Sequence, residues 1–394
     1  MLVGIDASRA NEDQKTGVGW YAWHLVEELK HIITSSHHHF ITREPVKVIL
    51  YTREELKGEL ANLPDGWTQK VLKWPLRRLW TQVRLSWEML FHPPDILFIP
   101  AHVFPIIHPP KTVMMVHDAA ALRFPKSYNW FERWYTVWSA KHAVKKLWKV
   151  IVPSEFTKNE LLVISAKGGS ASGGSNQSLV DEKIRVIPHG CGEGYKRYEI
   201  GDKRVGEVLK KYHIEKPFVL SVGRLEEKKN TARIIQSFNA VRQLSSITYH
   251  LSLVLVGTVG HGYQKVEAAI NNSSYKKDIK TLGYVSPDDL PYIMNAAEVF
   301  VCPSLYEGFG LPILEAMACG APVIASRGNA LEEVGGDACV YVDATNVDEI
   351  ASAIKRLSRD QASRKQLIEK GLERVKGYSW EKSASETARL LGLA

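Results

Sequence analysis

Cysteine is scarce in this chain of 394 residues: four are present, Cys191, Cys302, Cys319 and Cys339, and no two form a Cys-x-x-Cys pair. Neither a disulfide framework nor a thiolate zinc site is signalled, and a reducing, cytosolic setting fits best. An Asp-x-Asp pair is missing too, as is any His, Cys and Asp grouping with metal-ligand spacing, so no catalytic metal is implied. No stretch approaches the roughly 18 consecutive apolar residues of a spanning helix. The best ones are broken by Pro105, His108, Pro109 and Pro110, so the chain is not expected to cross a membrane. The N-terminal Met-Leu-Val-Gly-Ile-Asp lacks the basic and apolar regions of a signal peptide and reads directly into a buried strand. Nor is the composition extreme: 45% apolar and 24% charged residues exclude collagen-like, low-complexity and wholly disordered classes. At roughly 150 residues per domain, two or three folded domains are expected.

The charge is uneven. The formal net charge is +8, yet residues 67–150 carry 13 Lys/Arg against 4 Asp/Glu, a local excess of +9 that leaves −1 for the rest. Nucleic acid, an anionic membrane or a phosphorylated small molecule would each suit such a region, and composition leaves the three open. Within it, Leu76, Leu79, Trp80, Val83, Trp87, Leu90 and Phe91 recur at steps that predict one helical stripe, with Arg77, Arg78 and Arg84 off it. A second stretch from Trp130 through Trp134 and Trp138 to Lys145, Lys146, Trp148 and Lys149 mixes aromatic and cationic residues in the same way. These stripes either pack on the sheet beside them or form an interfacial face for an anionic membrane or lipid-pyrophosphate acceptor.

Short apolar runs at 2–5, 46–51, 96–99, 112–116 and 150–152, then at 218–222, 251–256, 299–302, 322–325 and 339–342, alternate with helical patterns. Runs of this length that are apolar on both faces predict parallel strands covered by helices, hence two doubly wound α/β domains in tandem. The segment 165–178, with Gly or Ser at 9 of 14 positions, is too polar to build a core. Lys183-Ile-Arg-Val-Ile-Pro188 then resumes a strand pattern, so this stretch reads as a loop inserted in the first domain. The connection between domains is expected later, near 194–216, giving domains 1–200 and 201–377 with 378–394 returning as a helix.

The motif richest in chemistry is Glu307-Gly-Phe-Gly-Leu-Pro-Ile-Leu-Glu315-Ala-Met. Phe309 and Gly310 make a loop with little obstruction, and Pro312 suits a first helical turn. A helix beginning near Leu311 turns free amides and its positive dipole end toward that loop, a site for phosphate. Glu307 and Glu315 would repel phosphate; they suit hydroxyl-rich neighbours such as a sugar and a ribose.

This segment resembles the Glu, seven residues, Glu signature of the retaining family 4 glycosyltransferases of group 1, which have the GT-B architecture: two Rossmann-like domains facing a cleft, with a last helix crossing back. Val222-Gly-Arg224-Leu-Glu-Glu-Lys-Lys229-Asn230 resembles the family's Arg and Lys pair, and by that resemblance Arg224 and Lys229 hold a donor diphosphate and share its charge as it departs. Thr16-Gly17-Val-Gly19 follows the first strand; the resemblance makes Gly17 and Gly19 loop contacts to phosphate or acceptor. His117 ends an apolar strand, where open α/β sheets place ligands, and the family's matching His points at the donor sugar, with Asp118 as a candidate to orient it. His189, before Gly190, reads as structural. Donor contacts are therefore expected from Gly17, Gly19, Arg224, Lys229, Glu307, Phe309, Gly310, Leu311 and Glu315, and catalytic roles from His117, Arg224, Lys229 and Glu307.

The resemblance implies transfer of a hexose from a nucleoside diphosphate sugar to an acceptor hydroxyl with retention, by front-face substitution, without metal or other cofactor. Ile5-Asp-Ala-Ser-Arg and His117-Asp-Ala-Ala-Ala-Leu-Arg-Phe-Pro125 look most like bacterial mannosyltransferases acting on polysaccharide or lipid-linked oligosaccharide. GDP-mannose is the first donor expected and a UDP-hexose the second. The alternatives are a GT-B sugar-nucleotide epimerase, which needs no acceptor, and a nucleotide-binding subunit without turnover. A nucleic-acid partner would account for the basic region but for nothing in the second domain.

Overall fold

The computed structural model describes residues 1–35, 46–76, 79–125, 130–166, 181–199, 201–243 and 250–393. The chain divides into two compact units: Met1–Arg123 with Asn129–Gly190 and Ser379–Ala394, and Phe124–Tyr128 with Cys191–Tyr378. The connection therefore falls at Gly190/Cys191, ten residues ahead of the 200/201 boundary expected from the sequence. From residue 167 onward the Gly/Ser stretch lies outside the described residues.

The first unit is built on a seven-stranded sheet of β1 (Leu2–Asp6), β2 (Lys47–Thr52), β3 (Trp67–Val71), β4 (Ile96–Ile99), β5 (Thr112–Met115), β6 (Lys149–Val152) and β7 (Ile184–Val186). Its order is β3-β2-β1-β4-β5-β6-β7, with parallel pairing throughout. β4 and β5 are buried at every position, as strands covered on both faces must be. The helix Trp380–Leu390 belongs to this unit. Ser379 caps it by accepting the Lys382 amide at 3.1 Å, and Trp380 meets the helix Gly17–Ser35 through His24, stacked at 4.8 Å and 6°.

The predicted stripe over 76–91 does not form one helix. Arg77 and Arg78 lie outside the described residues, Leu79 takes a left-handed φ of 66°, and a π-helical turn, Trp80–Leu85, leads into the helix Ser86–Phe91. Only Trp80 of the seven stripe residues is buried, with its indole N–H on the Leu72 carbonyl at 2.7 Å. The other six are exposed.

The second unit carries a six-stranded parallel sheet of β8 (Phe218–Val222), β9 (Ser252–Val256), β10 (Ile279–Gly283), β11 (Val299–Cys302), β12 (Val323–Ser326) and β13 (Cys339–Val342), in the order β10-β9-β8-β11-β12-β13. Both sheets are thus doubly wound, and in each the strand order reverses beside the first strand, β1 or β8, the place where open α/β sheets bind ligands. Where the chain enters and leaves this unit, Cys191 N–H bonds the Tyr378 carbonyl at 3.1 Å.

Candidate active site

Two loops at the carboxyl end of the second sheet build the site. After β8 the chain turns through Gly223 and runs to the helix Thr231–Gln243. Gly257, after β9, has φ of 139°, and a Cβ there would lie 2.0 Å from the Gly223 carbonyl oxygen; only glycine lets the two loops lie this close. Asn230, at φ of 62°, ties its loop to the sheet, its amide donating to the Pro303 carbonyl at 2.9 Å and the Ala344 carbonyl at 2.6 Å. The Leu305 N–H donates to the Lys228 carbonyl at 2.9 Å. These bonds fix Lys229 beside the loop after β11.

There Lys229 Nζ donates to Glu307 Oε1 at 2.5 Å, joining two motifs 78 residues apart. The Ser304 hydroxyl donates to the same oxygen at 2.7 Å. Ser304 is held in turn, its carbonyl accepting the Ser326 hydroxyl at 2.6 Å, while Asn329 reaches Ser326 Oγ at 3.0 Å and caps the helix Ala330–Gly335 through the Leu331 amide. Both bonds to Glu307 end on Oε1. Oε2 makes none among the described residues and keeps its contact with solvent although the residue is buried.

Gly310 caps the helix Leu311–Ala318, with Pro312 in the first turn. Its φ is 111°, and a Cβ would meet Leu331 Cδ2 at 2.3 Å. The positive dipole end and the amides of that turn face the loop that holds Glu307, although Pro312 carries no N–H and the Ile313 N–H already donates to the Gly310 carbonyl at 3.1 Å. Leu311 supplies the first of these helical amides. Phe309 is buried, its ring edge-on to Tyr378 at 5.9 Å, so its side chain belongs to the core rather than to a ligand. Glu315, a turn further along, accepts a hydrogen bond from Tyr195, and burial pushes its carboxyl up to about 7. Arg224 stays exposed, with Glu226 3.7 Å away, an ion pair too long for a hydrogen bond.

The first unit holds the remaining candidates. Gly17 and Gly19 form the first turn of the helix Gly17–Ser35, not a loop before it. Gly17 is exposed, and Gly19 is packed with the Arg9 carbonyl 3.0 Å from where a Cβ would stand. His117 is buried with both ring nitrogens engaged, Nε2 with the Pro100 carbonyl at 3.3 Å and Nδ1 with His189 Nε2 at 3.4 Å. Burial first, then the neighbouring His102 and His189, hold it well below the usual imidazole range. His117 is set into an aromatic cluster with Tyr21, and the contacts its nitrogens make are with Pro100 and His189. Asp118 accepts the Ala120 amide at 2.9 Å; Pro100 and His189 orient the His117 ring. His189 is buried against Tyr21 and Trp380, and burial depresses its imidazole to about 3.

Sequence reasoning missed Ser304 and Tyr195, and it gave Asn230 a place in the motif but no role. A serine three residues before Glu307 was legible as an Oγ within reach of that carboxylate; Tyr195 sits 120 residues before its partner and gave no local signal.

Residues 207–374 match the family model described as glycosyl transferases group 1. The O-antigen chain mannosyltransferase B of Escherichia coli is 37% identical over 181 residues, covering 46% of this chain and 47% of that protein. The chain thus spans about half the length of that curated relative. Sucrose-phosphate synthase from Thermosynechococcus elongatus superposes with a TM-score of 0.73 at 18% identity, covering 100% of this chain and 98% of that one. Anabaena Alr3699/HepE in complex with UDP and glucose gives 0.70 at 15%, covering 99% of each chain. Residues 207–374 thus resemble the group 1 glycosyl transferases, and the chain shares the two-sheet GT-B fold of these solved structures.

Proposed function

We propose that this chain transfers a hexosyl group, mannose before any other, from a nucleoside diphosphate sugar to an acceptor hydroxyl in polysaccharide, lipopolysaccharide or glycolipid biosynthesis, with retention at the anomeric carbon. The observation that carries the reading is the Lys229–Glu307 pair, joined at 2.5 Å in the loop ahead of a helix N-terminus. A cation beside the positive end of a helix suits a diphosphate, and the free Oε2 of Glu307 suits a sugar hydroxyl. Arg224, exposed nearby in sequence, adds a second cation for the phosphates. As the donor bond breaks, charge builds on the departing diphosphate; fixed positive groups stabilise it without reorganisation. Glu315 suits the ribose hydroxyls. The acceptor falls to the first unit, the enzyme working in the cytoplasm or at the inner face of the membrane. The relative's name supports mannose; the UDP in the neighbouring structure keeps a UDP-hexose as the second donor.

A panel of nucleotide sugars tested for thermal stabilisation and then for slow hydrolysis decides the donor. GDP-mannose is expected to raise the melting temperature most and to be hydrolysed with retained configuration, and EDTA to leave turnover unchanged. Stabilisation by no nucleotide sugar would end the reading; release of an altered, still intact donor would make the protein an epimerase.

A further inference from the structure

We propose that an apolar and cationic face of the first unit docks on an anionic lipid bilayer. Among the described residues, eleven of the fourteen large hydrophobic side chains left exposed fall between Leu76 and Trp148. Six of the seven residues in the 76–91 stripe turn outward instead of packing on the sheet, Trp87 at 60% exposure among them. On the helix Trp130–Lys146, Trp130 is 80% exposed and Trp134, one turn on, 56%.

Three contacts join these pieces. The Ile107 amide donates to Ser86 Oγ at 3.3 Å, seating the exposed Ile106 and Ile107 beside the helix Ser86–Phe91. The same loop reaches the helix Trp130–Lys146 through Ser139 Oγ, which donates to the His102 carbonyl at 2.8 Å, and through Phe104, stacked on Trp138 at 5.6 Å. Trp87 and Phe91 meet at 5.1 Å between ring centroids. The elements that expose Trp87 and Phe91, Ile106 and Ile107, and Trp130 and Trp134 are therefore neighbours in the first unit. Exposed apolar side chains gathered on neighbouring elements mark an interaction site.

Charge selects the occupant. At helical spacing Trp130, Trp134, Lys141 and Lys145 share one side of their helix, and Arg133, Lys145 and Lys146 are exposed with no ion pair among the described residues. Of the four acidic residues in 67–150, Glu88 is buried and paired with Lys70 and Arg84, so it is not among the ion partners of Arg133, Lys145 and Lys146. Two copies pairing through this face would set like charges against each other. A phospholipid surface offers the opposite charge, and tryptophan suits its interface because one end of the ring is apolar and the other wet. No helix among the described residues is long and apolar enough to cross a membrane, so the contact is peripheral.

The full chain is sedimented with vesicles of phosphatidylcholine alone and of phosphatidylcholine with phosphatidylglycerol, without donor or acceptor, so failure here leaves the transfer reading intact. Binding is expected on the anionic vesicles, weakening with salt. It should fall by about tenfold in Lys145→Glu/Lys146→Glu and also in Trp87→Ser/Phe91→Ser, each with an unchanged melting temperature. No binding, equal binding to both vesicles, or binding untouched by either double variant overturns the proposal. So does a dimer in the ultracentrifuge that the Trp87→Ser/Phe91→Ser pair dissociates, which would make the occupant a second copy.

Discussion

Lys229 and Arg224 look interchangeable as a cationic pair, yet their surroundings set them apart. Lys229 is mostly buried, with its ammonium on Glu307 Oε1, whereas Arg224 is exposed and only loosely placed near Glu226. Lys229→Ala would leave a buried carboxylate unpaired, a loss of about 3–5 kcal/mol; Arg224→Ala should cost less than about 1 kcal/mol. Both should lower turnover by about 10² to 10³ fold. Chemical denaturation separates the two effects: the stability of Lys229→Ala should recover largely when Glu307→Gln is added, while turnover does not. If Arg224→Ala proved as unstable as Lys229→Ala, the burial argument would fail.

Glu315 gives a pH test of the same site. Its carboxyl is raised to about 7 by burial from an unfolded value of about 4.3, so between those values the folded protein holds more protons than the unfolded one. The stabilising contribution is complete below about 4.3 and is lost as pH rises through about 7. Melting temperatures of the wild type and Glu315→Gln should therefore diverge across pH 5 to 8, with the wild type falling relative to the variant as the carboxyl ionises. A constant difference would mean that this carboxyl does not titrate there. Glu315→Ala should also weaken nucleoside diphosphate binding more than Glu307→Ala, which should mainly reduce transfer.

At the scale of elements, legibility followed burial. Strands covered on both faces, such as Ile96–Ile99 and Val299–Cys302, are uninterrupted apolar runs, and all ten runs read from the sequence fall in the two sheets. Trp67–Val71 and Ile279–Gly283 escaped because each is a sheet edge, where Thr68, Gln69 and Lys70, or Lys280 and Thr281, meet solvent and need not be apolar. The 76–91 stripe misled for a related reason: its period is helical, but left-handed Leu79 and the π turn Trp80–Leu85 rotate most of it outward. The Lys229–Glu307 pair was half legible. Each motif announced itself by local spacing, but their joining depends on Asn230 bridging two loops, and no local pattern records that. His117 shows the converse, since a histidine at a strand's carboxyl end looks the same whether its nitrogens face a ligand or, as here, Pro100 and His189.

The chain's last segment is the clearest whole-molecule feature, because residues from Ser379 onward complete a unit that began at Met1. Trp380, Ala384, Ala388 and Leu391 are buried, Trp380 stacked on His24 and tilted against Tyr21 at 5.9 Å. Burying a large apolar side chain contributes about 1.5–3 kcal/mol, so losing Trp380 and Leu391 alone removes a large part of the roughly 5–15 kcal/mol that holds a domain folded. The second unit keeps its own sheet, the Lys229–Glu307 pair and the helix Leu311–Ala318, none of which involves residues beyond Tyr378. A chain ended at Tyr378 should therefore melt in two calorimetric steps. The first should lie well below the wild-type transition, and the second should still shift upward on adding the nucleoside diphosphate of the best donor. A single transition at the wild-type temperature would show that the closing helix is dispensable. Loss of the nucleotide-dependent shift would show that the donor site needs the first unit intact.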